Sequence, residues 1–148
     1  MLSVKQMNEN DIDLCYELDS QTISLWSKKQ WENEFKKDGS KIFGLLRANL
    51  IIGICVFQIV LDEAQINYFV VDQKFRKKGF GSFLMSYLIK QCENLKLNKL
   101  LLEVSESNVI AERFYNRFDF FTVGIRKSYY KDGSDGILKE KKINNKII

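Results

Sequence analysis

Hydrophobic positions along the chain follow two rhythms, one of alternate residues and one of three to four. The opening LSVKQ alternates and predicts a strand, whereas Ile12, Cys15, Tyr16 and Leu18 share one helical face from Asp11 to about Ser20. Ser27, with Gln30 three residues on, is a capping-box signature; it opens a second helix carrying Trp31 and Phe35, which DGS at 38–40 ends. KIFGLLRA and LIIGICVFQIV, joined by a turn at Asn49, are followed after Asp62 and Glu63 by AQINYFVV. These three runs predict a β-meander.

Phe83, Leu84, Tyr87, Leu88 and Leu95 then mark a helical face, and the almost wholly apolar KLLLEVS reads as a strand buried on both sides. A strand, a loop, a helix and a second strand in this order imply a right-handed parallel crossover. Asn108 stands where it would cap a helix VIAERFYNRF, in which Ile110, Phe114 and Phe118 form a ridge beside Ala111 and Tyr115. FFTVGIRKSYYK, the turn DGSDG and ILKEKKI complete a hairpin, the Lys-rich end being expected as a polar edge strand and a fraying tail. The predicted order is βααβββαβαββ: an α/β protein with a mixed sheet flanked by helices, and a single domain over residues 1–148.

Composition narrows the chemistry. The chain has no histidine, which removes Ser-His-Asp and Cys-His nucleophiles, histidine-ligated metals and a histidine base. Proton transfer falls to Glu, Asp, Tyr, Lys or Cys. Cys15, Cys55 and Cys92 are odd in number and set among apolar residues, so they read as structural thiols of a reducing compartment, with no disulfide and no metal cluster. A net charge of +4 is far from the footprint of a dedicated nucleic-acid binder, and DNA is not an expected partner. LIIGICVFQIV stops at Asp62, short of the ~18 residues a membrane span requires, and the N-terminus lacks a signal peptide's layout. A cytoplasmic protein without membrane association is expected.

The most specific stretch is QKFRKKGFGS, at 73–82, between a predicted strand and a predicted helix. It is neither a G-x-x-x-x-G-K-[ST] loop nor a dinucleotide fingerprint, since Leu84 occupies the third glycine's place. Arg76, Lys77, Lys78, Gly79, Phe80 and Gly81 spell R-x-x-G-x-G. A glycine-rich turn at a helix start aims backbone N–H groups and the positive end of the helix dipole at one spot, which suits a phosphate. The same residues also read as an exposed turn with solvated charges.

FVVDQKFRKKGFGSFLMSYLI and LLEVSESNVIAERFYNRFDF resemble the acetyl-CoA-binding core of the GNAT-fold N-acetyltransferases, with the strongest likeness from Ala64 to Tyr130. LEV, SN, the Tyr115 helix, IRKSYY and the Trp26-Ser27 pair are similar to the RimI-type ribosomal-protein-alanine N-acetyltransferases. The resemblance implies acetyl-CoA as cosubstrate, with no metal. It places Phe69, Val70 and Val71 on a strand that pairs with the pantetheine arm by β-augmentation. It places Lys77, Lys78, Gly79, Phe80, Gly81 and Ser82 around the pyrophosphate, Arg76 at the motif's start and Asn108 near the cofactor's amide chain; for Asn108, a helix cap remains the other reading.

The same resemblance makes Glu103 the general base, through water, and Tyr115 the acid that protonates the departing thiolate. Glu103 ends the apolar run Leu100–Leu102, where a carboxylate is costly unless hydrogen-bonded or solvated at a cleft; it also reads as an exposed strand end. Tyr115 also reads as aromatic packing. The implied acceptor is a protein N-terminal amine, that of alanine on the eighteenth small-subunit ribosomal protein, with another N-terminus, a lysine or a small amine as alternatives. A remote alternative is a non-catalytic RNA-binding module using Phe75, Phe80 and Tyr87. An α-amine with pKa about 7.7–8.0 needs only a modest base, and direct transfer in a ternary complex is expected. Three departures from the family pattern bear on this: Asp119 replaces the glycine of Y-x-x-x-G-F, Gln73 and Leu25 replace prolines, and the last strand is more charged. They bear most on the acceptor groove, whose walls would be Tyr129, Tyr130 and the Trp26 region.

Overall fold

Short turns with unusual backbone angles set the sheet. Ala48 (φ 51°) and Asn49 (φ 66°) link Arg47 to Leu50, the doubly left-handed geometry that matches strand twist in a two-residue hairpin. The computed structural model describes residues 1–76 and 78–143. Its elements are β1 (Leu2–Gln6), α1 (Ile12–Gln21), α2 (Lys28–Lys36), β2 (Ser40–Arg47), β3 (Leu50–Val60), β4 (Glu63–Val71), α3 (Phe80–Asn94), β5 (Lys99–Ser105), α4 (Val109–Arg117), β6 (Phe121–Arg126) and β7 (Gly136–Lys142). This is the expected order, and β2, β3 and β4 form the expected antiparallel meander.

The strands join one sheet in the order β1-β2-β3-β4-β5-β7-β6, with β4 and β5 parallel across the α3 crossover. On one face α3 and α4 bury Phe43, Phe57, Leu84, Leu88, Leu100 and Leu102. On the other, α1 and α2 bury Cys15, Leu18, Trp31, Val56, Tyr68 and Val70. Each large apolar side chain so buried contributes roughly 1.5–3 kcal/mol. Ser27 and Gln30 form the predicted reciprocal cap of α2.

Three expectations are corrected. The charged strand β7 is internal, between β5 and β6, and β6 is the edge. Lys139 is tolerated there because it turns under α4 and finds acceptors in Asn116 and Thr122, while Lys142 is exposed at the strand's end. The fraying tail at 144–148 lies outside the described residues. Second, β5 is not buried on both sides; Leu100, Leu102 and Val104 are buried, and the residues between them are only half covered. Third, β6 ends at Arg126, short of the tyrosine pair, because Ser128 takes a positive φ of 49° and its N–H donates to Asp135 at 2.8 Å.

Asp119 adopts the left-handed conformation (φ 65°) just beyond α4. Phe120 N–H donates to the Tyr115 carbonyl (3.3 Å) and Asp119 N–H to that of Asn116 (3.1 Å), the paired bonds of a Schellman ending. The rings of Tyr115 and Phe120 lie 5.7 Å apart across that ending, so the turn that stops α4 also seats Tyr115.

Candidate active site

The parallel strands β4 and β5 pair at Glu63, Ala64 and Gln65 with Lys99, Leu100 and Leu101, and beyond Gln65 they part. The cause is local. Val56 pairs with Tyr68 and Phe57 with Ile66, so Asn67 is an extra residue on β4, and such a bulge bends its strand. Past it β4 pairs only with β3, while β5 continues against β7 to Ser105. Phe69, Val70 and Val71 therefore border an open fork, with an unpaired backbone edge toward β5.

Arg76 folds back at the end of this edge, its Nε donating to the Val71 carbonyl at 3.1 Å. Asp72 caps a 3₁₀ turn at Gln73–Phe75 by accepting from Lys74 N–H (3.1 Å), which braces the loop. Gly79 then starts α3 at φ 80°, with nothing within 4 Å of the position a Cβ would take. No side chain caps α3, so the amides of Phe80, Gly81 and Ser82 are left for an external acceptor. Lys78 is exposed beside them, and Lys77 lies outside the described residues.

Glu103 and Tyr115 reach the fork from opposite faces. Leu100, Leu102 and Val104 point into the core under α3 and α4, so Glu103 points to the α1–α2 side. It is largely covered, with 18% of its side chain exposed. Its Oε2 meets Arg126 Nε at 3.0 Å and its Oε1 accepts from the Tyr130 hydroxyl at 3.5 Å. A cavity of about 300 Å³ opens there, lined also by Gln65, Leu101, Val123 and Tyr129. From the other face, α4 places the Tyr115 ring 6.5 Å from that of Phe69 on the fork's β4 arm. Burial, aided by nearby Cys55, pushes the Tyr115 phenol well above its usual range, which keeps it a proton donor.

Asn108 is a helix cap: its Oδ1 accepts from Ala111 N–H at 3.2 Å. Phe75 and Phe80 pack on each other (6.2 Å) beneath Arg47, and Tyr87 packs edge-on to Phe43 (5.4 Å), so each of these rings has a packing role against the core. No cluster of metal ligands occurs among the described residues. Burial raises all three cysteine thiols, Cys15 to about 12 and Cys92 to about 11, so they are poor nucleophiles.

Several residues that shape the site carry no signal in the sequence. Asp19, wholly buried, accepts from the N–H groups of Leu25 and Trp26, from Trp31 Nε1 and from the Tyr68 hydroxyl, all at 2.9–3.0 Å. It thereby fixes the Trp26 loop against β4. Lys139, 2% exposed, donates to Asn116 (2.9 Å) and Thr122 (3.2 Å) and sits 3.9 Å from Glu112, which clamps α4 to the β6–β7 pair. Arg126, the ion partner of Glu103, is legible only once the strands are paired.

The sequence and the fold both have relatives among known proteins. The acetyltransferase (GNAT) family model matches residues 6–120. A [ribosomal protein bS18]-alanine N-acetyltransferase of Haemophilus influenzae is 33% identical over 139 residues, covering 92% of this chain and 92% of that protein. The crystal structure of the ribosomal-protein-S18-alanine N-acetyltransferase from Escherichia coli matches with a TM-score of 0.91 at 27% identity, over 97% of this chain and 95% of that one. Arabidopsis thaliana NAA60 in complex with acetyl-CoA shares the fold, with a TM-score of 0.85 at 16% identity, over 97% of this chain and 99% of that one. The family model spans most of the sequence and the Haemophilus relative is matched along nearly its whole length; the chain therefore belongs to the GNAT family and is an N-acetyltransferase.

Proposed function

We propose that this single-domain protein acts in the cytoplasm, using acetyl-CoA to acetylate a protein N-terminal amine, that of an alanine on a ribosomal protein of the bS18 kind. The observation that carries this reading is the fork, with a carboxylate on one face, a buried phenol on the other and an uncapped helix mouth at its end. The named activity of the Haemophilus relative supports the choice of acceptor.

The helix mouth and the basic turn fit a diphosphate, and the unpaired β4 edge fits an amide-bearing arm. Acetyl-CoA supplies a thioester carbonyl. Glu103 accepts a proton from the acceptor amine, directly or through one water, as nitrogen bonds to the acyl carbon. Tyr115 gives its proton to the sulfur as the carbon–sulfur bond breaks, and the products are the acetylated N-terminus and free thiol. No enzyme-bound acetyl group is required, so initial velocities should give intersecting lines.

Mass spectrometry of short peptides with free Ala, Ser or Gly termini, against N-blocked peptides containing lysine, tests the acceptor. Acetylation of the alanine peptides is expected; modification confined to lysine would replace this reading with another acceptor class.

A further inference from the structure

Glu103 on β5 and Arg126 on β6 form an ion pair although β7 lies between their strands. Neighbouring strands run about 4.8 Å apart, so the two backbones are roughly 10 Å from each other. What closes that span is a missing side chain. Gly136 on β7 pairs with Ser105 on one side and with Arg126 on the other. Ser105 stands two residues beyond Glu103 on the same strand, so Glu103, Gly136 and Arg126 share a sheet face.

A Cβ built at Gly136 would meet the Glu103 carboxyl carbon at 3.2 Å and both of its oxygens at 3.4 Å. Gly136 lies outside the left-handed region, so backbone conformation does not call for glycine there. The carboxylate does. It lies where a side chain would stand, and the guanidinium reaches in from the edge strand to meet it.

The far end of the pair is braced too. Asp135, just before Gly136, accepts from Ser128 N–H at 2.8 Å and from Lys127 Nζ at 3.2 Å. Its own N–H donates to Glu106 Oε1 at 2.9 Å, and its carbonyl accepts from Glu106 N–H at 3.0 Å. The ends of β5, β6 and β7 are thereby tied together beside the ion pair. The Tyr129 ring centre lies 5.2 Å from the Arg126 guanidinium carbon, a cation–π contact that steadies it further.

Arg126 is 55% exposed, and an ion pair with so open a partner contributes little to stability. Its effect falls on Glu103. Arg126 takes Oε2, while Oε1 has only the Tyr130 hydroxyl at 3.5 Å, too long to hold it firmly. A carboxylate pinned at one oxygen keeps the other in a constant place, and proton transfer needs donor and acceptor within about 2.6–3.2 Å.

We infer that Arg126 is a positioning residue: it acts through Glu103, fixing one carboxylate oxygen over Gly136 so that the other meets the acceptor amine or its bridging water. The inference rests on the proposed role of Glu103 as the base.

A double-mutant cycle separates this role from a merely structural one. Arg126→Ala should lower kcat by about tenfold, with the melting temperature and the KM for acetyl-CoA nearly unchanged, and Arg126→Lys should recover part of the loss. In the Glu103→Gln background Arg126→Ala should have no further effect, because the group it positions no longer takes a proton. Gly136→Ala, which puts a methyl where the carboxylate lies, should lower kcat alike. Equal losses from Arg126→Ala in both backgrounds, a loss confined to KM, or full kcat in Arg126→Ala would overturn the inference. Normal turnover of Glu103→Gln by itself would instead bring down the reading beneath it.

Discussion

Asp19 shows how much of this site is decided by single buried groups. Its carboxylate faces only donors, so Asp19→Asn would turn an amide NH₂ toward N–H and O–H groups that already need an acceptor. A loss of about 2–4 kcal/mol is expected, read as a lowered urea midpoint, because bonds to a charged acceptor are stronger than neutral ones and their donors are left buried. At the chemical centre, Glu103→Gln and Tyr115→Phe should each lower kcat by on the order of 10²-fold while leaving acetyl-CoA binding nearly intact by calorimetry. Normal turnover in both would remove these roles. The pH profile adds a sign. Rate should rise as the acceptor amine deprotonates near pH 8, then hold beyond pH 10, because the Tyr115 phenol is raised above its usual value and stays protonated there. Glu103 stood out in the sequence as a carboxylate ending an apolar run, and the roles of both residues came from family likeness. Their opposed placement across the sheet did not, since alternation along one strand says nothing of which face meets α4.

At the level of elements, the mouth of α3 separates stability from binding. A Cβ added at Gly81 would meet Phe114 at 3.5 Å, an ordinary contact. Gly81→Ala should therefore melt at the same temperature or slightly higher, gaining up to about 0.5–1 kcal/mol of helix propensity, yet bind acetyl-CoA at least tenfold more weakly if the diphosphate crowds that backbone. Unchanged affinity would move the phosphates elsewhere. The far end of α4 gives the converse case. Asp119 holds a left-handed φ of 65° that glycine adopts freely, so Asp119→Gly should stabilise the fold by about 0.5–1 kcal/mol in thermal denaturation, with activity retained. That glycine's absence was readable from the sequence. The order of strands was harder: β7 carries the charge of an edge strand but sits inside the sheet, because its hairpin with β6 inserts it against β5 and hides Lys139 under α4.

For the whole molecule, burial sets the alkaline limit. The thiols of Cys15, Cys55 and Cys92 and the phenols of Tyr68 and Tyr115 are all raised, chiefly by desolvation, with Tyr68 also bound to Asp19. The folded state thus keeps protons that the unfolded chain releases from about pH 9 for cysteine and pH 10 for tyrosine. Stability should be flat between pH 7 and 8 and fall as pH rises above about 9; urea titrations at pH 7, 8, 9 and 10.5 check this. No helix among the described residues is long and apolar enough to cross a membrane. Periodicity, caps and turn residues by themselves determined the eleven-element order of helices and strands and the basic glycine turn, since each depends on neighbours a few residues away, and that order in turn implied the parallel crossover. The fork did not follow from them. It required β4 to bulge at Asn67 while β3 held its register, and it required Arg126 and Tyr130 to return beside Glu103 from a strand and loop more than twenty residues on. Contacts of that range depend on which strand pairs with which, and only the assembled sheet supplies it.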